Sequence, residues 1–428
     1  MSGGEGRTFG RWHTTGERRS GGQATVFRVV GPRGESGALK LANVDEPARA
    51  ALRAEREQLA AVVARDASAP GWLAVPYDRG EDEAGRPWVV LPWFEHSLRS
   101  WMHQQAPPLR TRLEALRLAV EAVCRLHESG PSRGQPRLHL DLKPDNFLVE
   151  AGPSGLRVVL ADLGGARAGN LALDVEPTDS FTPRYSPPEV VLGLQRPADP
   201  AVDGHALAVV LYEGLTGVEP RSVCGPWPLT APGRELMESA GAGGSARLAE
   251  LRALPLRELL ALDEMEALSP RDEARLRNEL TDLLAAGEPG AAGRVEAVLA
   301  PLLGALRAAL EPDPERRGAD TRKLAAALEA ALAVCGGGAG PAAAPWVAPA
   351  PAAGPAAAAV APAPPTSVAP AAPTPPVAPA ARPAPQPATE ADEFVGALRG
   401  DPLALWLVVA VGLALVAVVG WLWVRGGG

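Results

Sequence analysis

The chain has 428 residues, with 42 Lys and Arg against 50 Asp and Glu, for a net charge of −8. That balance, without a basic stripe, excludes nucleic acid as the main partner. The three cysteines, Cys124, Cys224 and Cys335, are scattered and odd in number; they exclude a disulfide framework or a paired-cysteine metal clip and fit a reducing compartment.

Met1 to Gly22 is rich in Gly, Arg and Ser and lacks the apolar run of a secretory signal. Ser20-Gly21-Gly22-Gln23-Ala24-Thr25-Val26-Phe27 carries a glycine turn into apolar residues; such turns are common when taken singly. Ala38-Leu39-Lys40 reads as part of a strand. Pro47 to Arg65 predicts an amphipathic helix with Leu52, Leu59 and Val62 on one face and Glu55 one turn before Leu59. Taken alone, Lys40 is a solvated strand residue and Glu55 a surface helix charge. Trp88 to Phe94 reads as a strand running into a connection, and Ser97 suits the N-cap of the next helix.

The densest chemistry follows in His139-Leu140-Asp141-Leu142-Lys143-Pro144-Asp145-Asn146. The apolar run Val158 to Ala161 predicts a short buried strand that delivers Asp162 at its end, beside Leu163-Gly164. An acidic turn between two strands accounts for either motif singly, but not for both in this order. Next come Thr182-Pro183-Arg184-Tyr185-Ser186-Pro187-Pro188-Glu189 and a helical run from Asp203-Gly204-His205 to Gly217. Between Gly217 and Ala300, LRALPLRELLALDEMEAL and ARLRNELTDLLAA are helical in pattern. They read as additional helices, with a docking surface as the alternative. Asp313-Pro314-Glu315-Arg316-Arg317 comes near the end of the globular part. His13, His96, His103, His127, His139 and His205 do not stand at metal-ligand spacings.

Beyond this, residues 336–398 are dominated by Ala and Pro. Proline withholds an N–H and resists helix and sheet, so a semi-rigid polyproline II tether is expected. Residues 403–424 form 22 consecutive residues without a charge. As a helix they reach roughly 33 Å, enough for a hydrocarbon core of about 30 Å. Trp406, Trp421 and Trp423 lie near the two ends, where indoles favour the membrane interface. A single-pass membrane helix is expected, with only a short RGGG tail beyond it.

In this order the motifs resemble eukaryotic-type serine/threonine protein kinases of bacteria, and the resemblance covers roughly Trp12 to Ala333. It implies an α+β, two-lobed protein-kinase-like fold over 12–335: a small β-rich N-lobe over about 12–91 and a larger helical C-lobe over about 97–335. The linker and the transmembrane helix follow. It also implies transfer of the ATP γ-phosphate, with Mg²⁺, to Ser or Thr of protein substrates. Asp141 would orient and deprotonate the acceptor hydroxyl, Lys143 would steady the γ-phosphate, and Thr182 would bond near both. Asn146 and Asp162 would hold Mg²⁺. Lys40 would pair with Glu55, or less well with Glu57, and reach the α- and β-phosphates.

Gly21, Gly22, Val26, Ala38, Leu91, Pro92 and Phe94 would complete the ATP site. Among them, Val26 would cover adenine, Leu91 border the back of its pocket, Pro92 offer a carbonyl and Phe94 an N–H. His139, Gly164, Glu189, Asp203 and Arg317 would be structural, with Asp203 bonding the loop backbone and Arg317 paired to Glu189. Arg19 and Ala24 depart from the family's glycines. Leu140 replaces an arginine that commonly contacts a phosphorylated activation loop; its loss removes the charge that would read a phosphate. Activity is therefore expected without strict dependence on phosphorylation at Thr178 or Ser180. Because ATP is cytosolic, the kinase domain would face the cytosol. The alternative is a pseudokinase serving as a membrane-anchored binding module. A small-molecule phosphotransferase is disfavoured by the intact segment from Thr182 to Glu189.

Overall fold

The structure, a computed structural model, describes residues 5–336 apart from 133, 153–154, 170–181, 195–197, 225–226, 240–245, 288–290 and 319. The expected linker beyond Gly336, the expected membrane helix at 403–424, and Thr178 and Ser180 lie outside the described residues. Among the described residues no helix is long and apolar enough to cross a membrane.

The first part is a six-stranded antiparallel sheet of β1 (Glu5–Phe9), β2 (Trp12–Ser20), β3 (Ala24–Val30), β4 (Ser36–Ala42), β5 (Asp78–Glu81) and β6 (Pro87–Pro92), in the order β1-β2-β3-β4-β6-β5. Successive side chains of a strand point to opposite faces. In β4 that alternation sends Leu39 and Leu41 into one core with Trp12, Phe27, Val29, Trp88 and Val90. Ala38 and Lys40 then belong to the other face. Cross-strand pairs share a face, and Lys40 pairs with Val26 on one side and Val89 on the other, while Ala38 pairs with Leu91. One register thus places Val26, Ala38, Lys40 and Leu91 on a common surface. A one-residue slip would bury Lys40 in the apolar layer.

Helix α1 (Glu46–Val63) packs against this sheet. Asp45 caps it, its side chain accepting the Ala48 N–H at 2.9 Å. Leu52, Glu55, Leu59 and Val62 are buried along one stripe. Glu55 is the polar member of that stripe, whereas Glu57 is exposed.

The chain then crosses through β7 (His96–Ser97) into α2 (Leu98–Gln105) and α3 (Leu109–Glu128). Ser97 caps α2, as its position suggested, and shares a reciprocal capping box with Ser100. Short strands β8 (Arg137–Leu138), β9 (Phe147–Gly152), β10 (Gly155–Leu160) and β11 (Arg167–Ala168) carry the central loops. Helix α4 (Pro188–Val191) precedes α5 (Pro200–Thr216), which is buried from Ala201 to Thr216. A helix apolar on nearly every face belongs inside a core. Gly217 ends it at φ +76°, a left-handed cap that an L side chain rarely adopts.

Helices α6 (Arg221–Cys224), α7 (Ala231–Ser239), α8 (Ala246–Arg252), α9 (Leu256–Leu259), α10 (Pro270–Gly287), α11 (Val295–Ala309) and α12 (Arg322–Val334) complete the described part. The main core joins α3, α5, α10, α11 and α12 through residues such as Leu116, Tyr212, Leu280, Leu302 and Leu328.

Two differences from the sequence reading have physical causes. A strand begins at Glu5, before the expected start at Trp12, because Phe9 is buried against Phe27 and Trp88. That contact is tertiary and leaves no periodic trace in a Gly-rich segment. The pattern from Leu251 to Leu268 breaks into α8, α9 and a 3₁₀ turn instead of one helix. Pro255 cannot donate within a helix and stands at the break. Its leucines close a separate cluster with Leu192, Leu194 and Leu236.

Arg317 and Glu189 form the expected pair, at 2.6 and 3.2 Å, with side chains 0% and 1% exposed. Removing one partner of such a pair strands a buried charge. Arg317→Met is expected to lower stability by about 3–5 kcal/mol in urea denaturation, and Glu189→Leu added to it to restore most of that loss. Equal instability of the single and double variants would refute this account of the pair.

Candidate active site

The loop after β8 is shaped by one carboxylate. Asp203, on the first turn of buried α5, accepts the backbone N–H groups of His139 at 2.8 Å and Leu140 at 2.9 Å. His127 of α3 lies 2.9 Å from the same carboxylate. Asp203 is fully buried; burial alone would raise its pKa, but the contact with His127 and the bond from the His139 amide hold it below the usual range. Leu140 consequently sits in the left-handed region at φ +67°. The strain is of order 1 kcal/mol or more and persists because Asp203 over-determines the turn. His139 is buried and its Nε2 lies 3.1 Å from the Ala161 carbonyl, as expected of a structural residue.

The turn presents Asp141. Lys143 Nζ donates to Asp141 Oδ2 at 2.7 Å, and the Thr182 hydroxyl donates to Oδ1 at 2.8 Å. Lys143 also donates to the Thr182 hydroxyl at 3.1 Å. Residues 39 to 41 positions apart in sequence thus make one compact polar group. Asn146 donates its side-chain amide to the Asp141 carbonyl at 2.7 Å, while its own carbonyl accepts the Ala161 N–H at 2.8 Å. These bonds tie Asn146 to both the loop and the end of β10.

Asp162 follows β10 with φ +62°, a second non-glycine left-handed residue. A Cβ added at Gly164 would stand 3.3 Å from Asp162 Oδ1, so glycine there leaves the carboxylate room. Lys40 Nζ donates to Asp162 Oδ1 and to Glu55 Oε2, both at 2.8 Å. Burial works against the charge on Lys40, but the two carboxylates more than offset it and its ammonium titrates above the usual range. Burial likewise opposes ionisation of Asp162, and Lys40 overcomes it, so the pKa is lowered. Glu55 is raised by burial despite Lys40, and its Oε1 is buried without a hydrogen-bond partner.

Around this centre lie the remaining expected residues. Gly21 and Gly22 form the exposed turn between β2 and β3. Val26, Ala38 and Leu91 line the Lys40 face through the register described above. Pro92 ends β6, where a missing N–H is tolerated. Phe94 packs its ring against the cluster of Ala74, Val159 and Ala161.

Three contributors left no sequence signal. Asn43 donates to the carbonyls of Gly21 at 3.2 Å and Gly22 at 2.7 Å, pinning the glycine turn. His127 reaches Asp203 across the core, and Arg99 gathers partners from three elements. Each is defined by partners far away in sequence.

The residues fit a magnesium nucleotide. A cation flanked by acceptors, a glycine turn and two oxygen-bearing side chains, Asn146 and Asp162, are the donor set for phosphate and a hard cation. Among the described residues no group of three His, Cys, Asp or Glu forms a metal cluster.

Residues 96–224 match the family model of the protein kinase domain. The chain is 31% identical over 211 residues to the serine/threonine-protein kinase PknL of Mycobacterium tuberculosis (strain H37Rv), covering 47% of this chain and 48% of that protein. It is 37% identical over 124 residues to the serine/threonine-protein kinase PkaB of Streptomyces coelicolor, covering 26% and 29% respectively. It is 40% identical over 83 residues to the serine/threonine-protein kinase Sgk3 of Rattus norvegicus, covering 19% and 16%. The chain thus spans less than half the length of each of these relatives. The family match begins after Lys40 and Glu55 and does not cover the sheet that carries Lys40.

Lys40→Ala leaves Glu55 and Asp162 without their shared cation. A loss of about 3 kcal/mol at pH 7 is expected, at the low end for a broken buried pair because Asp162 is partly exposed. Glu55 then rises further. A carboxyl whose folded pKa exceeds its unfolded value of about 4.3 costs stability when ionised, and protonation releases that cost. The deficit should therefore shrink as pH falls from 7 toward 4.5, read from urea midpoints. A pH-independent deficit would contradict this electrostatic account.

Proposed function

We propose that the chain is an ATP-dependent protein serine/threonine kinase, held at a membrane through residues 403–424 with its kinase domain in the cytosol. The observation that carries the reading is the group formed by Asp141, Lys143 and Thr182. A carboxylate beside an acceptor hydroxyl and a cation beside the transferring phosphate are what phosphoryl transfer requires, because the reaction is dominated by positioning and charge.

Asp141 orients the incoming hydroxyl and takes its proton. Lys143, already on Asp141, stands ready to neutralise charge building on the transferred group. Thr182 ties the substrate-side segment to both, which supports serine or threonine as acceptor. Lys40 is fixed by Glu55 and reaches toward phosphate, while Asn146 and Asp162 would hold Mg²⁺. When bound, Mg²⁺ supplies charge neutralisation on the phosphates.

Two departures from the family pattern have structural readings that favour activity over a binding-only pseudokinase. Arg19 pairs with Val26, on the same face as Lys40, where a cation is compatible with polyphosphate. Leu140 packs against Leu138, Val190, Ala198 and Val202. Apolar packing there supports a loop that holds its shape without a phosphate contact.

The purified chain, given labelled ATP, Mg²⁺ and a protein acceptor, is expected to transfer phosphate to Ser or Thr. Asp141→Asn should abolish transfer, while Thr178→Ala with Ser180→Ala should retain most of it. A folded chain that binds ATP yet transfers nothing would favour the pseudokinase. Expressed in cells, the full chain is expected in the membrane fraction and a chain ending at Cys335 in the soluble one. Equal partitioning of the two would remove the tether.

A further inference from the structure

The glycine turn between β2 and β3 is held by one residue from the end of β4. Asn43 directly follows that strand, three positions after Lys40. Its side-chain amide donates to the carbonyls of Gly21 at 3.2 Å and Gly22 at 2.7 Å. Its backbone N–H donates to the Gln23 carbonyl at 3.0 Å, one step past the ladder pair of Ala24 with Ala42. Three successive carbonyls therefore end on a single residue.

The opposite side of the turn is set by the same bonds. Across a trans peptide the carbonyl and the next N–H point in opposite directions. With the carbonyls of Gly21 and Gly22 drawn to the Asn43 side chain, the N–H groups of Gly22 and Gln23 are turned away from it. In β4, Leu39 and Leu41 face the aromatic layer and Lys40 the other side. By the two-residue period of a strand, Asn43 falls in the series of Leu39 and Leu41. The two amides are thus turned toward the side of Lys40. Successive backbone N–H groups facing one way make a concavity suited to an anion.

Packing does not supply this hold. Gly21 and Gly22 are exposed. A Cβ at Gly22 would meet nothing within 4 Å, and one at Gly21 would meet the Ala24 carbonyl oxygen at 3.6 Å, an ordinary contact. Neither glycine stands in the left-handed region. Glycine loses more conformational freedom on ordering than any other residue, so a bare pair of them is costly to keep still. The Gly21 N–H closes the turn on the Ala24 carbonyl at 2.9 Å, and Asn43 fixes the turn to the sheet.

We propose that Asn43 is a positioning residue for the nucleotide: from the strand that carries Lys40, it holds the glycine turn with its amides toward the phosphates. The inference rests on the kinase reading and deepens it. One run of chain then carries both the cation for the phosphates and the anchor of the turn, so the two keep a fixed separation. A side-chain amide suits the task because it offers two N–H donors to two carbonyls without a charge that would repel phosphate. Asn43 acts through the turn and leaves the base of the nucleotide untouched.

The test uses the full chain, with Mg²⁺, and compares ATP with adenosine by titration calorimetry. Asn43→Leu keeps the size of the side chain and removes both donors. It is expected to bind ATP about tenfold more weakly and adenosine as the wild-type chain does. In turnover its KM for ATP should rise about tenfold with kcat at saturating ATP unchanged. Asn43→Gln returns an amide on a longer stem and should recover part of the ATP affinity.

Should Asn43→Leu fail to fold, Asn43→Ser keeps a small polar residue with one donor at this half-exposed position and should show an intermediate loss for ATP alone. A folded variant without the amide that binds ATP as tightly as wild type overturns the inference. So does an equal loss for ATP and adenosine, which marks a general disturbance of the sheet. A wild-type chain that binds neither ligand removes the kinase reading and this role with it, whereas one that transfers phosphate regardless of Asn43 loses this role alone.

Discussion

The carboxylate of Asp203 is the constraint on which the candidate site depends. It is placed on a helix buried along nearly its whole length, and it converts that rigidity into the conformation of the loop after β8. Two backbone N–H groups that would otherwise be stranded in the interior find their acceptor there. Leu140 takes a left-handed conformation as the consequence, and Asp141 is turned toward Lys143 and Thr182. Burying an ion is expensive, and here the cost is offset by three polar partners on one side chain. The site is therefore built on core packing, although its working groups sit on loops.

A second constraint is the register of the sheet. Lys40 contacts Asp162 across 122 residues of sequence and Glu55 across 15. Neither contact follows from the local chain. Both need β4 to present Lys40 away from the apolar layer, and α1 to present Glu55 on its buried stripe. Among the described residues, two of the three left-handed residues that are not glycine, Leu140 and Asp162, flank this arrangement, and the third, Ala106, ends α2. Strained backbone concentrated at converging polar side chains is the usual mark of a site under functional demand.

Much of this was legible in the sequence. The order of the motifs from Lys40 to Arg317 pointed to Lys40 with Glu55, Thr182 near Asp141 and Lys143, Asp203 with the loop backbone, and Arg317 with Glu189, but not to the bonds from Lys40 to Asp162 or from Lys143 to Asp141. The helices at α1 and α10 followed from apolar spacing and the start of α2 from the cap at Ser97. What escaped had no local signature. The strand from Glu5 to Phe9 depends on the contacts of Phe9 with two aromatic rings, and the breaks around Pro255 depend on where a satellite cluster of leucines closes. Asn43 and Arg99 look like ordinary polar residues until their partners arrive.

By itself, then, the sequence determined which groups are available and in what order. Cations, oxygen donors and carboxylates are properties of residue type, and motif order is a property of the chain. Tertiary structure alone decided which of those charges are shared. The ammonium of Lys40 divides between two carboxylates, and the guanidinium of Arg99 serves two carboxylates and a phenol. The physical reason is that electrostatic energy depends on distance and burial, and both are set by packing between segments that are remote in sequence.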